Sequence, residues 1–175
     1  DAAASYNKAI AIKPDLLIAH SNLGLTLKEL GRLEDAEASY KKAIAIKPDY
    51  AEAHINLGNT LKELGRLEDA ETSYKKAIAI KPDYAQAHSN LGITLKELGR
   101  LEDAETSYRK AIAIKPDLTE AHYNLGITLQ ELGRLEDAEA SYNKAIEIKP
   151  DYAEAHSNLG NTLKELGRLE DAEAS

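Results

Sequence analysis

Leucines and alanines recur along this chain at the spacing of one helix face, and the whole pattern restarts every 34 residues. In the unit Ala51–Tyr84, AEAHINLGNTLKELGRLEDAETSYKKAIAIKPDY, Leu57, Leu61 and Leu64 fall at i, i+4 and i+7 and predict an amphipathic first helix. Leu67, Ala70, Tyr74, Ala77 and Ile78 predict a second. Gly65 lies just past the first helix, where a left-handed residue commonly closes the last turn. Glu68 and Asp69 place negative charge in the first turn of the second helix and Lys81 places positive charge in its last, both favourable to the helix dipole. Pro82 cannot continue that helix. Asp83 reads as the N-cap of the next helix, with Gln86 completing a capping box; Asp49 with Glu52, Asp117 with Glu120 and Asp151 with Glu154 repeat the pair. The expected buried set of one unit is Leu57, Leu61, Leu64, Leu67, Tyr74, Ile78 and Ile80. Gly58 sits inside the first helix, where glycine costs about 1 kcal/mol relative to alanine. It implies a close approach between helices, with Ala70 as the small residue opposite.

Residues 1–16 match the second half of one unit; full units run 17–50, 51–84, 85–118 and 119–152, and a truncated one covers 153–175. A fixed period of this length means a stacked array, in which each hairpin buries its apolar face against the next. The expected fold is one all-α domain, an α-solenoid of 34-residue helix–turn–helix repeats. Neither end carries the polar capping unit that closes most solenoids. Both ends are therefore expected to expose apolar surface, and head-to-tail joining of copies into a filament is one reading of that. The lack of methionine and the start in mid-helix read as an excerpt of a longer chain.

These units resemble the tetratricopeptide repeat family. The period, the Asn-Leu-Gly of Asn56–Gly58, the run Ala70, Tyr74, Ala77, and Pro82 carry the likeness, which covers all 175 residues. The family often has an aromatic residue where this chain has His54, and another where it has Leu61. The wording SNLGNTLKELGRLEDAEAS of Ser157–Ser175 is similar to the repeats of O-linked N-acetylglucosamine transferases and their bacterial relatives, although no catalytic domain of that kind is present. The resemblance implies a right-handed superhelix whose first helices line a concave groove for extended peptides. It also implies an interaction scaffold and, as an alternative, a substrate-recruiting arm of a larger glycosyltransferase.

Composition narrows the partners. The net charge is −8 and the pI about 5.2, with both signs mixed through every unit. Nucleic acid would require a basic stripe, so none is expected as partner. No apolar run approaches the ~18 residues of a membrane span, and no signal peptide is visible. With no cysteine there is neither a disulfide framework nor a thiol nucleophile, and no glycine-rich phosphate loop occurs. The five histidines, His20, His54, His88, His122 and His156, come one per unit. Zinc needs several ligands within about 2 Å of one ion, whereas equivalent positions on stacked helices stand ~8–10 Å apart. No metal, no cofactor and no enzymatic activity are expected; the histidines read as partly buried beside the leucine face.

Binding is the remaining chemistry. Glu52, Ile55, Asn56, Asn59, Lys62 and Glu63 project away from the leucine stripe of the first helix, and the units differ most there. The Glu52 register reads Ile18, Glu52, Gln86, Glu120, Glu154; the next reads Ser21, Ile55, Ser89, Tyr123, Ser157; the third reads Leu25, Asn59, Ile93, Ile127, Asn161. Together they span an arc of about 60°. Local tuning of a binding surface explains this variation, as does drift at solvent-facing positions after duplication. Asn22, Asn56, Asn90, Asn124 and Asn158 recur at one register, and an amide offers both a donor and an acceptor to a peptide backbone of any sequence. In the transferases resembled above, an asparagine at this point of the motif contacts bound peptide in that way. Ile55, Ile93, Tyr123 and Ile127 are the candidate apolar patch beside it, with Lys62 and Lys96 further along the face. The lysine and arginine clamp of chaperone-tail receptors is absent from these registers. A protein or peptide ligand is the expected partner.

Overall fold

The computed structural model describes residues 2–168. Among them are ten helices and no strand: α1 (Ala2–Ile12), α2 (Leu17–Glu29), α3 (Leu33–Ile46), α4 (Ala51–Glu63), α5 (Leu67–Ile80), α6 (Ala85–Glu97), α7 (Leu101–Ile114), α8 (Thr119–Glu131), α9 (Leu135–Ile148) and α10 (Ala153–Glu165). Two compact units result, Asp1–Ala87 and His88–Ser175, with the division falling inside α6. In the first, α1 packs on α2, α2 on α3, α3 on α4, and α4 on α5, while α4 also touches α2. In the second, α8 packs on α7 and α9, and α10 on α9 and α8. Each is an all-α stack of helical hairpins, the local architecture of a repeat solenoid.

The turn inside each hairpin closes as the periodicity predicts. Gly65 has φ +74°, a conformation that costs an L-residue about 1–2 kcal/mol. The Gly65 N–H donates to the Lys62 carbonyl at 2.9 Å and the Arg66 N–H to that of Leu61 at 2.9 Å. These are the two bonds of a Schellman closure, and they satisfy carbonyls that the helix end leaves open. Arg66, the next residue, grips Asp69 in the first turn of α5, with Nε to Oδ2 at 2.9 Å.

The turn between hairpins departs from expectation. The N-cap positions of α4, α8 and α10 are Tyr50, Leu118 and Tyr152, and none of the three helices has a side-chain cap hydrogen bond. The capping boxes at Asp49, Asp117 and Asp151 do not form. Their aspartates belong to a preceding β-turn, because the Tyr50 N–H reaches back to the Lys47 carbonyl at 3.2 Å with Pro48 and Asp49 between. The helix thus begins one residue too late for Asp49 to cap it. Lys81 likewise falls at the C-cap of α5, one position past its last turn.

Gly58 does mark a close approach, but the residue opposite is Tyr74 rather than Ala70. A Cβ at Gly58 would meet the Tyr74 ring at 2.7 Å; the contacts of Gly24 with Tyr40, Gly92 with Tyr108 and Gly126 with Tyr142 repeat it at 2.7, 2.7 and 2.6 Å. All four tyrosines are fully buried. Of the expected core, Leu57, Leu61 and Tyr74 are buried and Leu64, Leu67 and Ile78 half-buried. Ile80 is 37% exposed. It stands about 200° around the helix from Ile78, on the opposite side.

Candidate peptide-binding face

The histidines secure the first helices. His54 Nε2 lies 2.9 Å from the Pro48 carbonyl, and His20, His122 and His156 make the same contact to Pro14, Pro116 and Pro150. With the proton on Nε2, each ring donates across the turn and holds the start of its helix to the end of the one before. Among the described residues, no group of three or more histidine, aspartate or glutamate side chains is placed to hold a metal ion, and no helix is long and apolar enough to cross a membrane.

Two ion-pair ladders join neighbouring repeats. Lys28 on α2 reaches Glu63 on α4 at 2.8 Å, and Lys96 on α6 reaches Glu131 on α8 at 3.4 Å. Arg66 reaches back to Glu37 at 2.9 Å, and Arg134 to Glu105 at 2.8 Å. Lys41, and then Arg66, hold the Glu37 carboxyl below its ordinary value against the opposing effect of burial. Burial works to raise Glu105, but Arg109 and Arg134 outweigh it and keep that carboxyl low as well.

In the first unit, Asn22 and Asn56 stand half-buried on α2 and α4, and their amides have no hydrogen-bond partner among the described residues. Asn59 turns inward, where its Oδ1 accepts the Tyr74 hydroxyl at 2.7 Å. Ile55, expected on the open face, is 5% exposed. It contributes to the packed interior of the unit and leaves the apolar patch to other residues. Lys62 is half-buried and has a partner of its own.

In the second unit, Asn90, Asn124 and Asn158 are half-buried on α6, α8 and α10. Tyr123 lies 4.9 Å from Tyr152 and 6.1 Å from Tyr142 by ring centroids, and its hydroxyl accepts the Asn158 amide at 3.2 Å. Two predicted site residues are thereby tied together. Ile93 and Ile127 are half-buried on the same helices. A cavity of about 420 Å³ opens here, lined by Ile127, Gln130, Glu131, Tyr142, Asn158 and Glu165. Gln130 spans it, accepting the Tyr142 hydroxyl on Oε1 at 3.1 Å and donating from Nε2 to Glu165 at 3.0 Å. Burial first, then the neighbouring Tyr123, pushes the Tyr142 hydroxyl well above its ordinary value. Sequence reasoning missed Gln130, Glu131 and Glu165. The signal was present, because Gln130 interrupts a register otherwise filled by Lys28, Lys62, Lys96 and Lys164. A second cavity of about 410 Å³ lies between α7 and α9, where Arg109 and Lys144 are already paired with Glu105 and Glu147.

The family model of the TPR repeat matches residues 1–31, 26–65, 58–99, 94–133 and 129–167. The chain belongs to the TPR repeat family. Solved structures with this TPR fold include MamA, 27% identical with a TM-score of 0.83, the match covering 87% of this chain and 89% of that one. YrrB, described as a TPR protein with an unusual peptide-binding site, is 26% identical with a TM-score of 0.80, covering 97% and 88%. PilW, a type IV pilus biogenesis factor, is 27% identical with a TM-score of 0.84, covering 98% and 81%. No curated protein matches the sequence at a significant level. In TPR terms, the Gly58–Tyr74 contact and the Gly65 turn are the packing code, and the asparagine registers lie outside it.

Proposed function

We propose that this TPR chain is a non-enzymatic protein-interaction scaffold that holds extended peptide segments on the asparagine-bearing face of its first helices. The observation that carries the reading is the state of the asparagines. Half-buried amides at one register, those of Asn22, Asn56 and Asn124 without a partner among the described residues, present donors and acceptors to a ligand. Their neighbours along the same helices are engaged: Lys28 and Lys96 in ion pairs, Asn59 with Tyr74. Amides that solvent still reaches and no protein group occupies are free to exchange water for the N–H and C=O groups of a peptide backbone, each bond a modest net gain. The peptide-binding site named for YrrB, a neighbour in fold, supports the same class of ligand.

Replacing Asn56, Asn90 and Asn124 together with alanine tests this. Affinity for an extended peptide ligand, selected from a peptide library on the unmodified protein, should fall about tenfold or more, as expected for several hydrogen bonds lost at ~0.5–1.5 kcal/mol each. The melting temperature should change little, since none of the three side chains fills the core. Undiminished peptide affinity in the triple variant sinks the reading.

A further inference from the structure

Within the second unit, successive first helices end in the same pattern, a lysine followed by a glutamate, with one exception. On α6, Lys96 faces Glu131 of α8 at 3.4 Å, as Lys28 of α2 faces Glu63 of α4 at 2.8 Å in the first unit. On α8 the lysine is replaced by Gln130, so among the described residues Glu165 of α10 receives an amide N–H at 3.0 Å where its equivalents receive an ammonium. That single exchange removes one positive charge from the α8–α10 junction. The cavity of about 420 Å³ lies at this junction.

We infer that this cavity is a pocket for one cationic side chain, lysine or arginine, of a bound extended peptide. The inference rests on the proposal that the asparagine-bearing face binds such peptides. Its walls fit the chemistry of a long cationic side chain. Half-buried Ile127 offers an apolar surface for the methylene stem, while Glu131 and Glu165 stand at the cavity as acceptors for the charged head. Gln130 is fixed at both ends of its amide, by the Tyr142 hydroxyl and by Glu165, and so keeps the space open instead of filling it. Asn158, tethered to the Tyr123 hydroxyl at 3.2 Å, stands at the cavity in position to meet the peptide backbone. Among the described residues, the cation that meets this carboxylate pair is Lys96, at 3.4 Å from Glu131. Glu165 is left to a neutral partner. A net charge of −8 adds a long-range preference for a cationic ligand.

The test uses two synthetic peptides, uncharged except at one central position that carries lysine in one and norleucine in the other. Binding is read by fluorescence anisotropy against the intact protein, Gln130→Lys and Glu165→Gln. Gln130→Lys restores the residue found at every other repeat, and Glu165→Gln removes the carboxylate; thermal melts confirm that both fold. The lysine peptide is expected to bind the intact protein about fivefold more tightly than the norleucine peptide, with the preference shrinking in high salt. Both variants should abolish that preference, the lysine peptide losing more affinity than the norleucine peptide in each. Equal binding of the two peptides by the intact protein overturns the pocket and leaves the peptide-binding face standing. A lysine preference that survives unchanged in both variants overturns the assignment to this cavity. If neither peptide binds the intact protein, the binding face itself falls and the pocket with it.

Discussion

The seam between the two helices of each hairpin and the outer face of the first helix lie one residue apart in sequence, yet the chain treats them in opposite ways. The seam is constant: Gly24, Gly58, Gly92 and Gly126 each receive the ring of a fully buried tyrosine. The next residue along varies freely through Leu25, Asn59, Ile93 and Ile127. The difference is not simply core against surface, because the varied residue decides how the constant one is satisfied. Asn59 accepts the Tyr74 hydroxyl at 2.7 Å, and beside Ile127 the more distant Gln130 accepts that of Tyr142 at 3.1 Å. Beside Leu25 and Ile93 the hydroxyls of Tyr40 and Tyr108 are buried without a partner among the described residues. Changing the face therefore reaches into the packing, and some changes leave a polar group stranded.

The seam itself should give the largest response. Gly58→Ala would gain about 1 kcal/mol of helix propensity at an open site. Here the new Cβ meets the fully buried Tyr74 ring at 2.7 Å, and overpacking of that kind costs ~1–3 kcal/mol. The net effect should be a loss of up to ~2 kcal/mol, read as a lower denaturation midpoint. A stabilised Gly58→Ala would mean that the ring gives way and that the seam is no more constrained than the face.

How much of this was legible in the residues follows the same division. Leu57, Leu61 and Gly65 are set by spacing along one helix and one turn, and each stands where periodicity puts it. Ile55 was misread because a single helix considered alone cannot register its neighbours: α4 packs against α2, α3 and α5 together, and a side chain facing away from its own leucine stripe can still be enclosed. The capping aspartates were misread for a related reason. A Pro-Asp pair is equally good chemistry for a turn and for a cap, and only the reach of the Tyr50 N–H back to Lys47 decides which. Gln130 passed unnoticed because its meaning lies in the positive charge it fails to bring to a glutamate 35 positions later.

A matched pair of substitutions sharpens the coupling between face and seam. Tyr74→Phe removes a hydroxyl bonded to Asn59 and leaves that amide short of a partner, so a loss of ~1 kcal/mol is expected. Tyr40→Phe removes a hydroxyl that has no partner among the described residues of its buried site, and the cost should be near zero or reversed. Burial, and then Glu29 and Glu63, push the Tyr40 hydroxyl up to about 12, in keeping with a site that tolerates no charge. Chemical denaturation of the two variants side by side measures the difference. Equal losses would show that the residue after the glycine has no say in the core.

The smallest effect concerns the junction between repeats, where Glu37 binds Arg66 and Lys41. The Glu37 carboxyl is held below its ordinary value of 4.5, chiefly by Lys41 and also by Arg66. A lowered folded value means that the folded state holds its proton less tightly than the unfolded chain. The stabilisation is then complete above about 4.5 and disappears as pH falls through the lowered value. Glu37→Gln cannot ionise, so it should be less stable than the parent at neutral pH. The gap should close below pH 4.5 as Glu37 takes up its proton and comes to resemble glutamine. Denaturation midpoints of both proteins across the acid range read this directly. A gap that stays constant from neutral to strongly acid pH would mean that Glu37 acts here through its shape and hydrogen bonds, and that its charge adds nothing to the hold of one repeat on the next.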